Sequence, residues 1–213
     1  MGIKLKHFFE EHFSYSSKDK ILREAMIFVR DNDVKGDYFE FGVHEGGSFS
    51  SAFFFANTYG LNKMEFLAFD SFEGLPDNKE GMKLLRGGEY ACSLEQFKIN
   101  LRKRKVDLNR VKAYKGWFKD LEKRRTSIEN RKAAIIYVDG DLYQSAVEVL
   151  RFINGYLQEG TLLIFDDWNL FKGNPNKGEQ LAFREWLKKN PQIKVSEFLK
   201  FGYHGNSFIV NKI

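Results

Sequence analysis

A chain of 213 residues, 43% hydrophobic and carrying 22 phenylalanines, has enough apolar material for one compact core, so long disordered stretches are not expected. The net charge of +5 and pI near 9.1 admit an anionic partner, but the basic excess is concentrated between Lys98 and Lys132 and lacks the interleaved exposed aromatics of a single-strand groove; nucleic acid is not expected. The lone Cys92 excludes an internal disulfide and reads as a core or loop residue. With no apolar leader and no run near the roughly 20 residues that span a bilayer, a cytoplasmic location is expected.

In chain order, Met1 to Phe13 sets Ile3, Leu5, Phe8, Phe9 and Phe13 among Lys4, Lys6 and His7. That stripe reads as packing against protein, with a membrane surface as the alternative. Residues 1–34 are read as an N-terminal helical segment, a cap or dimer contact, ahead of an α/β domain over 35–213. Ser16-Ser17-Lys18-Asp19 precedes Ile21, Leu22, Ala25, Met26, Phe28 and Val29, whose helical spacing predicts a helix ending near Asp31-Asn32. Tyr38–Val43 is the first predicted strand, Gly46-Gly47-Ser48 breaks it, and Ser50–Thr58 is a helix. Glu65–Phe69 is a second strand, closed by Asp70, and a long glycine-rich loop, Ser71–Gly88, follows.

Beyond the loop, the spacing predicts a helix over Leu94–Lys103, a strand over Val111–Lys115 and a charged helix over Lys119–Asn130. Ala133–Val138 and Thr161–Phe165 are further strands, separated by an amphipathic helix over Ser145–Tyr156. A helix over Glu179–Lys189 and two closing strands, Lys194–Phe201 and Asn206–Val210, complete the chain. This alternation predicts a Rossmann-like α/β fold with a mostly parallel central sheet, helices on both faces and an antiparallel C-terminal end strand.

Two of the strands end in acid. Ala133–Val138 runs into Asp139-Gly140-Asp141, and Thr161–Phe165 runs into Asp166-Asp167. Buried parallel strands deliver such residues to the carboxyl edge of the sheet, where ligands bind in open α/β folds. Four carboxylates brought together need a cation or a proton, so they point to a hard metal ion or to acid/base chemistry. The turn Gly42-Val43-His44-Glu45-Gly46-Gly47-Ser48 lets a ligand approach the backbone but lacks the G-x-G-x-x-G spacing of dinucleotide binders. Asp70, at the end of the next strand, is placed to accept ribose hydroxyls. Glu40 and Glu45 beside the turn favour a cationic nucleoside ligand, S-adenosylmethionine, over a pyrophosphate.

Together, the strings Gly36-Asp37-Tyr38-Phe39-Glu40-Phe41-Gly42-Val43, Phe69-Asp70-Ser71-Phe72-Glu73-Gly74-Leu75-Pro76, Gly116-Trp117-Phe118-Lys119-Asp120, Asp139-Gly140-Asp141-Leu142-Tyr143-Gln144-Ser145 and Asp166-Asp167 resemble those of macrocin-type sugar O-methyltransferases. The resemblance covers about residues 20–190. It implies a class I methyltransferase fold over 35–213, S-adenosylmethionine, Mg2+ or another divalent cation, and methylation of a sugar hydroxyl on a glycan, nucleotide sugar or glycosylated metabolite. It also implies a homodimer. By residue, it implies cofactor contacts from Glu40, Gly42, Val43, Gly46, Ser48, Asp70, Ser71, Phe72, Trp117 and Phe118, and metal ligation by Asp139, Asp166 and Asp167.

The same resemblance makes Asp141 the general base; the plainer reading is an N-cap for the Ser145 helix or a salt bridge. His204 is a further catalytic candidate at the acceptor pocket, whereas His44 reads as structural. The chain departs from the family pattern at Leu121-Glu122-Lys123, on the adenine side, and over Trp168–Gln180, on the acceptor side. A catechol-like acceptor and a non-catalytic S-adenosylmethionine-binding module are the alternative functions.

Overall fold

The computed structural model describes residues 16–77 and 86–213. The stripe expected in Met1–Phe13, and part of the glycine-rich loop, lie outside the described residues.

The first described element is helix α1 (Ser17–Asp31), which buries Ile21, Leu22, Ala25, Met26 and Val29. A capping box starts it: the Ser16 hydroxyl accepts from the Asp19 amide while the Asp19 carboxylate accepts from the Ser16 amide. Then follow β1 (Asp37–Phe41), α2 (Gly47–Thr58), β2 (Phe66–Asp70), α3 (Leu94–Lys103) and β3 (Val111–Lys115). The second half comprises β4 (Ala133–Val138), α4 (Tyr143–Ile153), β5 (Leu162–Phe165), α5 (Gly178–Lys189), β6 (Lys194–Phe201) and β7 (Gly205–Lys212).

These strands form one seven-stranded sheet in the order β3-β2-β1-β4-β5-β7-β6. All neighbours from β3 to β5 pair in parallel, while β7 is antiparallel to both β5 and β6. The expected mostly parallel sheet with an antiparallel last strand is therefore present, although that strand lies one place in from the edge. Its position follows from the short turn after Phe201, which folds β7 back between β5 and the outer strand β6.

Central strands β4 and β5 are buried along their whole length because apolar layers cover both faces. One layer joins α1 and α2 through residues such as Met26, Phe49 and Phe53; the other joins α4 and α5 through Leu150, Phe152 and Phe183. On the second face, register pairs Phe41 with Phe69 and Phe69 with Tyr114, so their rings stack across three strands at 4.6 and 5.1 Å.

The segment expected to be a charged helix over Lys119–Asn130 is instead a 3₁₀ run, Phe118–Ile128. Of its residues only Leu121 and Ile128 are buried, seven apart, so no continuous apolar stripe exists to hold an α-helix on the sheet. Ser127 also turns its hydroxyl onto the Arg124 carbonyl at 2.6 Å, a local bond that competes with regular winding.

Candidate active site at the carboxyl edge

The residue that follows each of β1, β3, β4 and β5 bonds to a neighbouring strand. Gly42 donates its amide to the Phe69 carbonyl, Asp139 to Phe41, Asp166 to Val138 and Gly116 to Asp70, all at 2.8–3.0 Å. The ladder is thus extended one residue past the strand ends, which fixes the exit directions of Gly42, Asp139 and Asp166. Strand order reverses between β1 and β4, and such a switch point opens a crevice at this edge. A cavity of about 1100 Å³ occupies it, lined among others by Gly42, Asp70, Trp117, Asp139, Asp141 and Asp167.

Asp139, Asp166 and Asp167 each offer a carboxylate oxygen, and the three atoms lie within 4.8 Å of one another. Burial, followed by repulsion from Asp166, pushes the Asp139 carboxyl well above the usual range. Burial and then Asp139 do the same to Asp167. The Asp166 Oδ1 accepts the Tyr137 hydroxyl at 2.6 Å, and Asp167 Oδ2 accepts the Asp141 amide at 3.1 Å. Three hard oxygen donors converging this closely suit magnesium or a similar cation. Glu179 stands behind them, fully buried; its Oε2 accepts the Asp167 amide at 3.0 Å and its Oε1 has no partner. Burial, with Asp167 next, drives its carboxyl far upward.

Asp141 has a left-handed backbone (φ 55°) and borders the cavity. It is not a helix cap: α4 begins after Leu142, and no side chain caps that end. Burial, reinforced by Asp166, pushes its carboxyl up to about 6. His204 is not among the residues lining the cavity. Its Nδ1 meets the Asp166 backbone carbonyl at 2.8 Å and stands 3.7 Å from Oδ1, holding the start of the Asp166-Asp167 pair from the β6–β7 turn.

On the other flank of β1, the Asp70 carboxylate accepts three amides, Val43 and His44 at 2.8 and 3.1 Å and Phe72 at 2.7 Å, while the Ser71 hydroxyl gives its one proton to the Gly74 carbonyl at 2.8 Å. These amides engage both carboxylate oxygens, so Asp70 ties the glycine turn to the loop after β2. Gly42 is required there. Its φ is 87°, and a Cβ would sit 1.9 Å from the Asp139 carbonyl oxygen.

Among the other expected cofactor residues, Ser71, Trp117 and Phe118 line the cavity with Gly42 and Asp70, whereas Glu40, Val43, Gly46, Ser48 and Phe72 do not. Glu40 is fully buried behind the wall, accepting from the hydroxyls of Tyr38 and, at 2.6 Å, Ser48. Burial outweighs these bonds and pushes its carboxyl up to about 7.

Sequence reasoning missed Lys18. From the first turn of α1 its Nζ donates to Asp139 Oδ2 at 3.0 Å and contacts Asp166 Oδ2 at 2.7 Å. Burial opposes the charge, yet the two carboxylates outweigh it and hold the ammonium well above the ordinary lysine range. One signal was available: a lysine in a helix's first turn faces the positive end of the dipole and needs acidic compensation. Glu179 and Tyr137 left no comparable trace, since a helix start and a strand position explain them equally well.

The strand order and the acidic carboxyl edge define a class I methyltransferase fold. In overall architecture the chain is similar to the O-methyltransferase NovP, with a TM-score of 0.75 and 23% identity over 92% of this chain and 80% of that one. It is also similar to the calicheamicin methyltransferase CalS11, with a TM-score of 0.74 and 21% identity over 90% of this chain and 77% of the other. The family model described as macrocin-O-methyltransferase (TylF) matches residues 16–192, and the chain belongs to that family.

Among characterised relatives, the 8-demethyl-8-(2,3-dimethoxy-alpha-L-rhamnosyl)-tetracenomycin-C 4'-O-methyltransferase of Streptomyces olivaceus is 30% identical over 155 residues. The demethyldecarbamoylnovobiocin O-methyltransferase of Streptomyces niveus is 28% identical over 155 residues. Each match takes in 69% of this chain and 58% of the relative, so the chain spans little more than half the length of these relatives. No helix among the described residues is long and apolar enough to cross a membrane.

Proposed function

We propose that the protein is an S-adenosylmethionine- and divalent-cation-dependent O-methyltransferase that methylates a sugar hydroxyl on a glycosylated small molecule or glycan. The observation that carries this reading is the convergence of Asp139, Asp166 and Asp167 on the same cavity as Asp141, Asp70 and the Gly42 turn. Family membership and the names of the two Streptomyces relatives support the methyl donor and the sugar acceptor.

The three aspartates would hold the cation, and Gly42, Ser71, Trp117 and Phe118 would border the cofactor, with Asp70 acting through the turns it binds. When bound, the cation supplies Lewis acidity toward neighbouring acceptor hydroxyls, and the cofactor supplies the methyl group. Asp141 faces the cavity from between the strand ends, where it would accept the proton of the attacking hydroxyl at a carboxylate oxygen. Asp139 and Asp166, whose backbone is fixed by the extended ladder, would hold the cation at a set place beside Asp141. A homodimer in the cytoplasm belongs to the same reading; light scattering tests the assembly.

The test is methyl transfer from labelled S-adenosylmethionine to a panel of glycosylated metabolites, free diols and catechols, with magnesium or excess chelator. Transfer to glycosylated acceptors that chelator stops is the expected result. Transfer to catechols alone would move the acceptor to a phenol, and full activity in chelator would remove the cation from the reaction.

A further inference from the structure

We propose that the Lys18 ammonium and a divalent cation compete for the same carboxylate oxygens, so that Lys18 sets how tightly the acidic site holds its metal. This rests on the divalent-cation reading above and adds to it a residue from α1, outside the carboxyl edge of the sheet.

Consider which oxygens are free. Asp166 has its Oδ1 on the Tyr137 hydroxyl and its Oδ2 on Lys18 Nζ, and the same ammonium holds Asp139 Oδ2. A magnesium ion needs oxygens at about 2.0–2.1 Å, and at Asp166 both oxygens already carry a partner, so an ion drawing on Asp166 meets either Tyr137 or Lys18 on the same atom. Tyr137 cannot yield easily, because it is wholly buried in β4. Lys18 can: its side chain is 36% exposed and its stem is long and flexible. It also borders a second cleft, lined by Ser16, Asp19, Ser48 and Arg104, into which a released side chain can swing.

Charge points the same way. An ammonium and a dication sharing two oxygens stand a few ångströms apart and repel strongly. Asp139, Asp166 and Asp167 each bring an oxygen within 4.8 Å of the others, and a dication favours the ionised form of three converging carboxyls more than one ammonium does, so it displaces the ammonium rather than the reverse.

The experiment is calorimetric titration of the full chain with Mn2+ alone, comparing wild type with K18M and K18R, each checked by thermal unfolding. Competition predicts at least a tenfold tighter Mn2+ affinity in K18M and no gain in K18R. Equal or weaker binding in a folded K18M overturns the proposal while leaving the metal site intact; no binding in either protein overturns the cation reading itself. Should K18M not fold, wild type labelled at lysine Cε decides. The Lys18 resonance, assigned by its loss in K18R, moves to the position of solvated lysines as Mg2+ saturates, and a resonance that stays in place refutes displacement.

Discussion

Asp70 and Asp139 end the two strands that flank β1, on the same edge of the same sheet, yet their surroundings are opposite. Around Asp70 the chain supplies three amides. Around Asp139 it supplies three more aspartates and the tip of Lys18. Neutral donors fixed in the backbone tie down an anion permanently and make it part of the scaffold. A group of anions compensated by one movable side chain is ready to exchange that cation for another. The same residue type is a structural knot in one place and an exchangeable ligand in the other, and the local donor count decides which.

Substitutions at the two positions sharpen that contrast. D139A should lower methyl transfer by roughly a thousandfold, several kcal/mol of lost charge stabilisation, with little change in cofactor affinity by calorimetry. D141N should cost roughly a hundredfold in kcat, the lower end for a general base, and leave Mn2+ affinity near wild type. D70A should instead leave three amides unpaired, lower stability by about 2–4 kcal/mol and reduce the midpoint of thermal unfolding by about 5–15 °C. If D70A unfolds like wild type while D139A loses cofactor binding, the contrast is broken.

The last expected effect, read only as a slope, is a pH dependence at Glu40. Its folded carboxyl titrates at about 7 against an unfolded value of 4.5, so the folded state holds the proton more tightly. The stabilising contribution is complete below pH 4.5 and is lost as pH rises through 7, for a total of about 3 kcal/mol. E40Q keeps a neutral, hydrogen-bonding side chain, so denaturant unfolding between pH 5 and 8 should slope less steeply than in wild type. Identical slopes would remove Glu40 as the source.

Much of this architecture is legible in the residues. Val111–Lys115, Ala133–Val138, Leu94–Lys103 and Lys194–Phe201 fold over the spans their periodicity predicts, because runs of β-branched and apolar residues, or an apolar stripe behind a capping serine, are local properties. The acidic strand ends were legible for the same reason: an abrupt change from apolar to acid marks the edge of a buried strand. The 3₁₀ segment was not, since charged residues with good helix propensity masked the lack of a buried stripe.

What the sequence by itself determined is the order of elements, the parallel sheet and the presence of carboxylates at its carboxyl edge. Tertiary structure alone decided which carboxylate meets which partner. Lys18 lies 121 residues from Asp139 and Asp70 lies 27 from Val43, distances closed only when α1 and the glycine turn pack against the sheet. Periodicity is written into neighbouring residues by backbone geometry. Charge compensation depends on side chains that only the folded crossovers bring within hydrogen-bonding reach.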